Sequence, residues 1–271
     1  MIQTVSHYLR QQHLPCNVSF LIDGEQECGS AHFEEVVQAT RSFFPTPNVI
    51  LASNSYWLDD EHPCLTYGLR GVLNVCLTVR MKEMPSADVH SGWEGGAVVE
   101  PLADVVRIMG ALMAQSEAFP GFSDGITPAT VEEEAQLRQV ADACFASRAS
   151  FVGQSHDAIL ENLQKRWCRP AISIHKVMSC SGLDHGVIPR SAMSMFSIRT
   201  VPNQSMATLK EKLHSHLQDL FGKESALSNS MEVTFISSLS LLSFADVGGR
   251  STSRWVRRIG RATRKRSIIN T

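Results

Sequence analysis

The chain has 271 residues, 43% of them hydrophobic and 19% charged, with a net charge of −2, which suits a globular protein of one large domain or two ordinary ones. No apolar run approaches the roughly 18–20 residues a membrane span needs, and the amino end, MIQTVSHYLRQQHL, lacks the apolar stretch and small-residue cleavage site of a secretory signal. Seven cysteines without any C-x-x-C pair exclude a zinc ribbon and argue for free thiols in a reducing compartment, the cytoplasm by default.

In chain order, Ile2, Val5 and Leu9 share one helical face, and residues 17–22, NVSFLI, read as an apolar strand. The strand runs into an acidic knot, DGEQE, at 23–27. A second helix follows Ser30 and carries Val36, Val37 and Phe43 until Pro45 and Pro47 end it; NVILA at 48–52 then suits a buried strand. Strand, helix, strand is one edge of a parallel α/β sheet. Residues 1–66 hold too few strands to close such a layer and read as part of an α/β domain.

From residue 67 the pattern changes. Residues 69–79 alternate around Leu73, Val75, Leu77 and Val79 as a half-buried strand does. A Gly-rich loop follows, and Pro101 opens an amphipathic helix through Leu102, Val105, Val106, Met109 and Leu112. An insertion at 119–168 contains a helix started by Thr130-Val131-Glu132-Glu133, a capping-box pattern. Strands at 171–177 and 192–199, a helix at 205–221 and a strand at 231–236 complete the order βαββαβ, that of a ferredoxin-like α+β sandwich over 67–236. Residues 237–271 read as an irregular, disordered tail. Its last 25 residues hold Arg250, Arg254, Arg257, Arg258, Arg261, Arg264, Lys265 and Arg266 and no acid, so the 17 basic and 27 acidic residues before it leave 1–246 at −10.

Three stretches are candidates for chemistry. Carboxylates at the carboxyl end of a parallel strand lie where open α/β sheets bind ligands, and two of them can divide the work of metal ligand and general base; the alternative for DGEQE is a solvated turn. His90, in DVHSGWEGG, stands in a Gly-rich loop that lets substrate approach closely, so its ring can donate to a developing oxyanion; the alternative is a hairpin connection with an exposed histidine. Arg199, in SIRTVPN, sits at a strand end and suits recognition of a carboxylate, with a surface ion pair as the alternative. The basic tail admits binding to nucleic acid or anionic lipid, ranked below a solvated tail or a reading-frame artefact, because it carries no supporting motif.

Taken together, these stretches resemble the M20-type metallopeptidases, the carnosine and cysteinylglycine dipeptidases. NVSFLIDGEQECGS resembles that family's fliEGeEEsGS segment, and SNSYWLDDEHPCLTYGLRG resembles sDnyWl…PcltYGLRG. DVHSGWEGGAVVEPLADV resembles DlHSGvyGG…nP, and GVIPRSAMSMFSIRTVPNQS resembles tvIP…kfsiRlVPn. The likeness runs collinearly over about residues 1–236. Within the family it extends to the fungal glutathione-degrading peptidase subunit, which works beside a glutamine-amidotransferase-like partner.

The resemblance implies a catalytic α/β domain with two bridged divalent metals, zinc or manganese, and a smaller lid that forms a homodimer. It implies that His90 polarises the scissile carbonyl in the partner subunit's site and that Arg199 grips the substrate carboxylate. It places Glu27 at a metal-ligand position, Gln26 at the general-base position and Asn54 at a second metal-ligand position. The last two are amides where the family has carboxylates, and an amide neither takes a proton from water nor binds a hard cation well. The family's remaining ligands have no counterpart in these residues, so a fragment with an intact lid, inactive alone and holding no stable metal, is expected. A non-catalytic scaffold or regulatory subunit dimerising through the lid is the alternative. The substrate implied is a small peptide, in glutathione or Cys-Gly breakdown, with no role for nucleic acid or a membrane.

Overall fold

The computed structural model describes residues 1–25, 30–44, 64–65, 69–83, 88–114, 118–147, 154–179, 185–239 and 258–259. The chain divides into two compact units, Met1–Ser55 and Tyr56–Thr271.

The first unit holds helix α1 (Ile2–Arg10), helix α2 (Phe33–Ala39) and a 3-10 turn at Arg41–Phe43. The strand expected at 17–22 does not form: these residues have no regular structure, and Val18, Phe20, Leu21 and Ile22 are all exposed. A strand persists only where a neighbour takes up its backbone N–H and C=O groups, and none of the described residues of this unit does so. Within the acidic knot, Asp23 accepts from the backbone N–H of Glu25 at 2.8 Å and from the hydroxyl of Ser30. Residues 48–52, expected as a strand, lie outside the described residues.

In the second unit a two-residue strand β1 (Cys64–Leu65) precedes β2 (Gly71–Met81), β3 (Val89–His90), α3 (Ser91–Glu94) and α4 (Pro101–Ala114). Then come α5 (Val131–Ser147), α6 (His156–Trp167), β4 (Ala171–Ser179), β5 (Val187–Ile188), β6 (Ser191–Thr200), α7 (Met206–Ser228), β7 (Asn229–Leu239) and β8 (Arg258–Ile259). The main sheet is antiparallel with the order β4-β6-β2-β7; β1 pairs β8 and β3 pairs β5. The main elements therefore follow the order βαββαβ. β7 runs to Leu239, beyond the expected strand end, and β8 lies within the expected tail; the other tail residues are outside the described set.

The core follows from period two in the strands and 3.6 in the helices. Leu73, Val75, Leu77 and Val79 of β2, with Ala192, Phe196 and Ile198 of β6, point to one face of the sheet. There they meet Val105, Ile108, Met109 and Leu112 of α4 and Leu209, Leu213 and Leu217 of α7. Pro101 stands at the first position of α4, where its missing N–H costs nothing. α7 breaks at Gly222, whose φ of 72° lies in the left-handed region.

The insertion is a helical hairpin rather than a single helix. Thr130 and Glu133 form the capping box: the Glu133 N–H donates to Thr130 Oγ1 at 3.2 Å and the Thr130 N–H to Glu133 Oε2 at 2.7 Å. α6, not foreseen, is capped by Ser155, whose Oγ accepts from the Ala158 N–H at 3.2 Å. Leu137, Val140, Ala141 and Cys144 of α5 pack on Ile159, Leu160 and Leu163 of α6 as a second, separate core. Burial raises the Cys168 thiol above its ordinary range, and the nearby Glu133 carboxylate adds to the rise.

Candidate functional site

His90 ends β3, a strand that exists only through its pairing with β5 (Val89 opposite Ile188, His90 opposite Val187). The Ser91 N–H donates to Gly186 O at 2.7 Å. Below it, Asp88 Oδ1 accepts from the backbone N–H of Arg190 at 3.2 Å and faces the Arg190 guanidinium at 3.3 Å. The loop is thus pinned at both ends to the segment leading into β6, although its own residues 90–97 are exposed.

Two glycines make the turn. The Gly92 N–H donates to His90 Nδ1 at 3.1 Å, and a Cβ at Gly92 would stand 2.9 Å from the imidazole Cε1. A Cβ at Gly95 would stand 2.4 Å from Ser91 O, closer than any real contact. Because a backbone N–H only donates, Nδ1 is an acceptor, and the neutral ring carries its proton on Nε2. His90 therefore presents a fixed, exposed N–H donor, as stabilisation of a carbonyl oxygen that gains negative charge requires.

Arg199 lies near the end of β6, on the sheet face away from the helices, between Val72 of β2 and Ala171 of β4. Among the described residues no carboxylate pairs with it. Its near neighbour is another cation. Burial first, and then the Arg199 charge, lower the Arg70 pKa from its usual value. Arg70 Nη1 donates to Arg169 O at 3.0 Å and, more weakly, to Lys165 O at 3.5 Å. It thereby occupies carbonyls at the end of α6 and ties the helical hairpin to this end of the sheet. Two guanidiniums without an acid between them make an anion-seeking corner. The sequence reading missed Arg70; its place in YGLRG just before β2 was the available signal.

A register shift in β4 between Ile174 and Lys176 marks a bulge. His175 Nε2 there lies 2.8 Å from Ser197 Oγ, two residues before Arg199 on the same strand and face. His175 was also missed, since a bulge leaves no mark on the apolar pattern.

His90 and Arg199 are both placed, each on its own feature of the second unit. Gln26, Glu27 and Asn54 lie outside the described residues. Among the described residues no group of three His, Cys, Asp or Glu side chains is placed to hold a metal ion, and no helix is long and apolar enough to cross a membrane.

Residues 67–225 match the M20 peptidase dimerisation domain. The chain belongs to the M20 peptidase family. It is 33% identical over 235 residues to the Beta-Ala-His dipeptidase of Homo sapiens, spanning 83% of this chain and 45% of that protein. To the Cys-Gly metallodipeptidase DUG1 of Saccharomyces cerevisiae it is 32% identical over 222 residues, 78% of this chain and 44% of that one. Its structure is similar to that of human carnosine dipeptidase 1, with a TM-score of 0.70 at 30% identity, covering 89% of this chain and 51% of the other. This M20 chain spans about half the length of the curated relatives it matches.

Proposed function

We propose that this chain is a subunit of an M20-type di- or tripeptidase and supplies the groups that handle the substrate. Residues 67–236 form its ferredoxin-like lid and dimerisation domain, 1–66 belong to a catalytic α/β domain, and 237–271 are a basic tail. Two copies pair, His90 enters the partner's site to polarise the scissile carbonyl, and Arg199 grips the substrate carboxylate within its own. The observation that carries this reading is the His90 ring, held by the Gly92 N–H with its other nitrogen presented outward as a donor. The proposal needs no second kind of subunit, because both groups come from copies of this chain. The relatives are dipeptidases by name, which favours hydrolysis over the scaffold reading.

An edge of the sheet supports the pairing. β4 is one of the two outer strands, and Ile174 and Val177 on it are 37% and 41% exposed. Such an edge is a template for another strand, here a second copy of β4.

The family depends on divalent metal. The donor set in this chain, Glu27 with the amides Gln26 and Asn54, does not fit a bridged pair of divalent ions, which needs several carboxylates or imidazoles. No step is therefore routed through a metal here. His90 and Arg199 orient the peptide and stabilise the carbonyl oxygen, while Gln26, at the base position, leaves the attacking water without a proton acceptor.

The test is hydrolysis of Cys-Gly and β-Ala-His by the purified dimer with zinc or manganese supplied. Wild-type turnover is low. In a full-length context, with flanking segments of a relative supplying the family's remaining ligands, Gln26→Glu with Asn54→Asp raises kcat by roughly 100-fold, the usual worth of a positioned base; His90→Ala in that background then removes the gain, and Arg199→Ala raises KM. Unchanged turnover on His90→Ala contradicts the reading.

A further inference from the structure

Trp93 is 86% exposed, more than any other large hydrophobic side chain among the described residues. An indole carries roughly 150–250 Å² of apolar surface, and this one contributes almost none of it to the fold. It is not loosely held. It follows the His90–Gly92 contact by one residue within α3, and its ring centroid lies 5.7 Å from that of His90, tilted by 50°. The turn is closed by the Gly95 N–H donating to Ser91 O at 2.9 Å, and β3, β5 and the Asp88–Arg190 pair fix its base. The platform thus presents two rings side by side, one a hydrogen-bond donor and the other a flat apolar wall.

Resting on the functional reading above, we infer that Trp93 enters the partner's site with His90 and selects the side chain of the substrate residue that carries the scissile carbonyl. Distances restrict the choice. The carbonyl oxygen lies about 3 Å from His90 Nε2 in a hydrogen bond, and the Cα bearing that side chain is bonded to the carbonyl carbon itself. A side chain that starts two bonds from the carbonyl carbon is within reach of a ring about 6 Å from the imidazole; the side chain on the leaving amine starts one bond further along. An aromatic or large aliphatic amino-terminal residue gains contact with the indole face, and glycine gains nothing. Specificity of this kind is a difference between substrates, not a general gain in binding.

Calorimetric titration of the wild-type dimer with Phe-Gly and Gly-Gly tests this without needing turnover. The wild type binds Phe-Gly more tightly. Trp93→Ala weakens Phe-Gly about tenfold, the scale of one aromatic contact, and leaves Gly-Gly unchanged, while Trp93→Phe retains most of the preference. His90→Ala weakens both dipeptides alike. Equal losses for the two dipeptides on Trp93→Ala, no loss for either, or dissociation of the Trp93→Ala dimer on sedimentation overturns the role of Trp93. No loss on His90→Ala overturns the functional reading beneath it instead. A wild-type dimer that binds neither dipeptide overturns both.

Discussion

Replacing Asp104 by alanine removes the acceptor at the centre of a buried network that joins three elements. Asp104 is 4% exposed. Its Oδ1 accepts from Ser225 Oγ at 2.7 Å and Arg107 Nη2 at 3.1 Å, and its Oδ2 accepts from Asn229 Nδ2 at 2.9 Å. Arg107 also donates to Leu220 O and Phe221 O at 2.7 and 3.1 Å, the carbonyls freed where α7 breaks at Gly222. The carboxylate thus holds α4, the broken end of α7 and the start of β7 together. Hydrogen bonds to a charged group are worth about 1.5–3 kcal/mol each. Against three such bonds stands the cost of keeping the carboxylate buried, which the alanine no longer incurs. Asn229 keeps Val99 O as a partner, and Arg107 keeps its carbonyls. The net loss is about 3–4 kcal/mol, in line with removal of one partner from a buried ionic group, or roughly 10 °C in Tm. Urea unfolding followed by circular dichroism should show a lower midpoint with an unchanged slope. Asp124→Ala is the control: it breaks an exposed pair with Lys212 and costs at most about 0.5 kcal/mol. A loss below about 1 kcal/mol for Asp104→Ala, or equal losses for the two, refutes the network as the tie between these elements.

Gly92→Ala places a Cβ against the imidazole and pushes the His90 ring from its position without straining the backbone; turnover in the Gln26→Glu, Asn54→Asp background falls as far as with His90→Ala while the melting curve stays in place, and retained turnover contradicts the locked-ring account. Ile174→Glu with Val177→Glu puts like charges along β4, so sedimentation should find the dimer dissociation constant raised by about tenfold or more; an unaltered dimer moves the interface elsewhere. For Cys168, a raised thiol pKa means less thiolate at a given pH: at about pH 8 iodoacetamide should modify the exposed Cys16 well before Cys168, with the gap closing as the pH rises through the Cys168 value. Glu133→Gln removes the second cause and speeds the Cys168 reaction, and equal rates for Cys16 and Cys168 at that pH sink the assignment.

The dimerisation domain was legible because its signals are local and agree with one another. Leu73 to Val79 alternate, Pro101 and Thr130 mark helix starts, and each prediction held within a few residues. The strand expected at 17–22 failed for the opposite reason: an apolar run states that a segment can be buried but not that a neighbour exists to bury it. α6 escaped notice because its capping serine follows a run without periodicity. The β3–β5 pair is too short to show a pattern at all. Among the candidate residues, His90 and Arg199 stood out by a Gly-rich loop and a strand end and took their roles from motif likeness, and their geometry adds what a motif lacks: the tautomer of the first and the cationic neighbour of the second. Arg70 and His175 depend on a helix end and a bulge, contacts between segments distant in the chain, and no single stretch of sequence displays them.

The central claim is that His90 acts across the dimer while Arg199 acts within its own subunit. Mixing two impaired variants, His90→Ala and Arg199→Ala, in the Gln26→Glu, Asn54→Asp background, with substrate held far below KM, tests it most directly. Random re-pairing makes half of the dimers mixed, and each mixed dimer holds one site with both groups intact, so about a quarter of the parent turnover should return on mixing. If both groups served the same subunit's site, no pairing would unite them, and turnover that stays at the level of the separate variants contradicts the account.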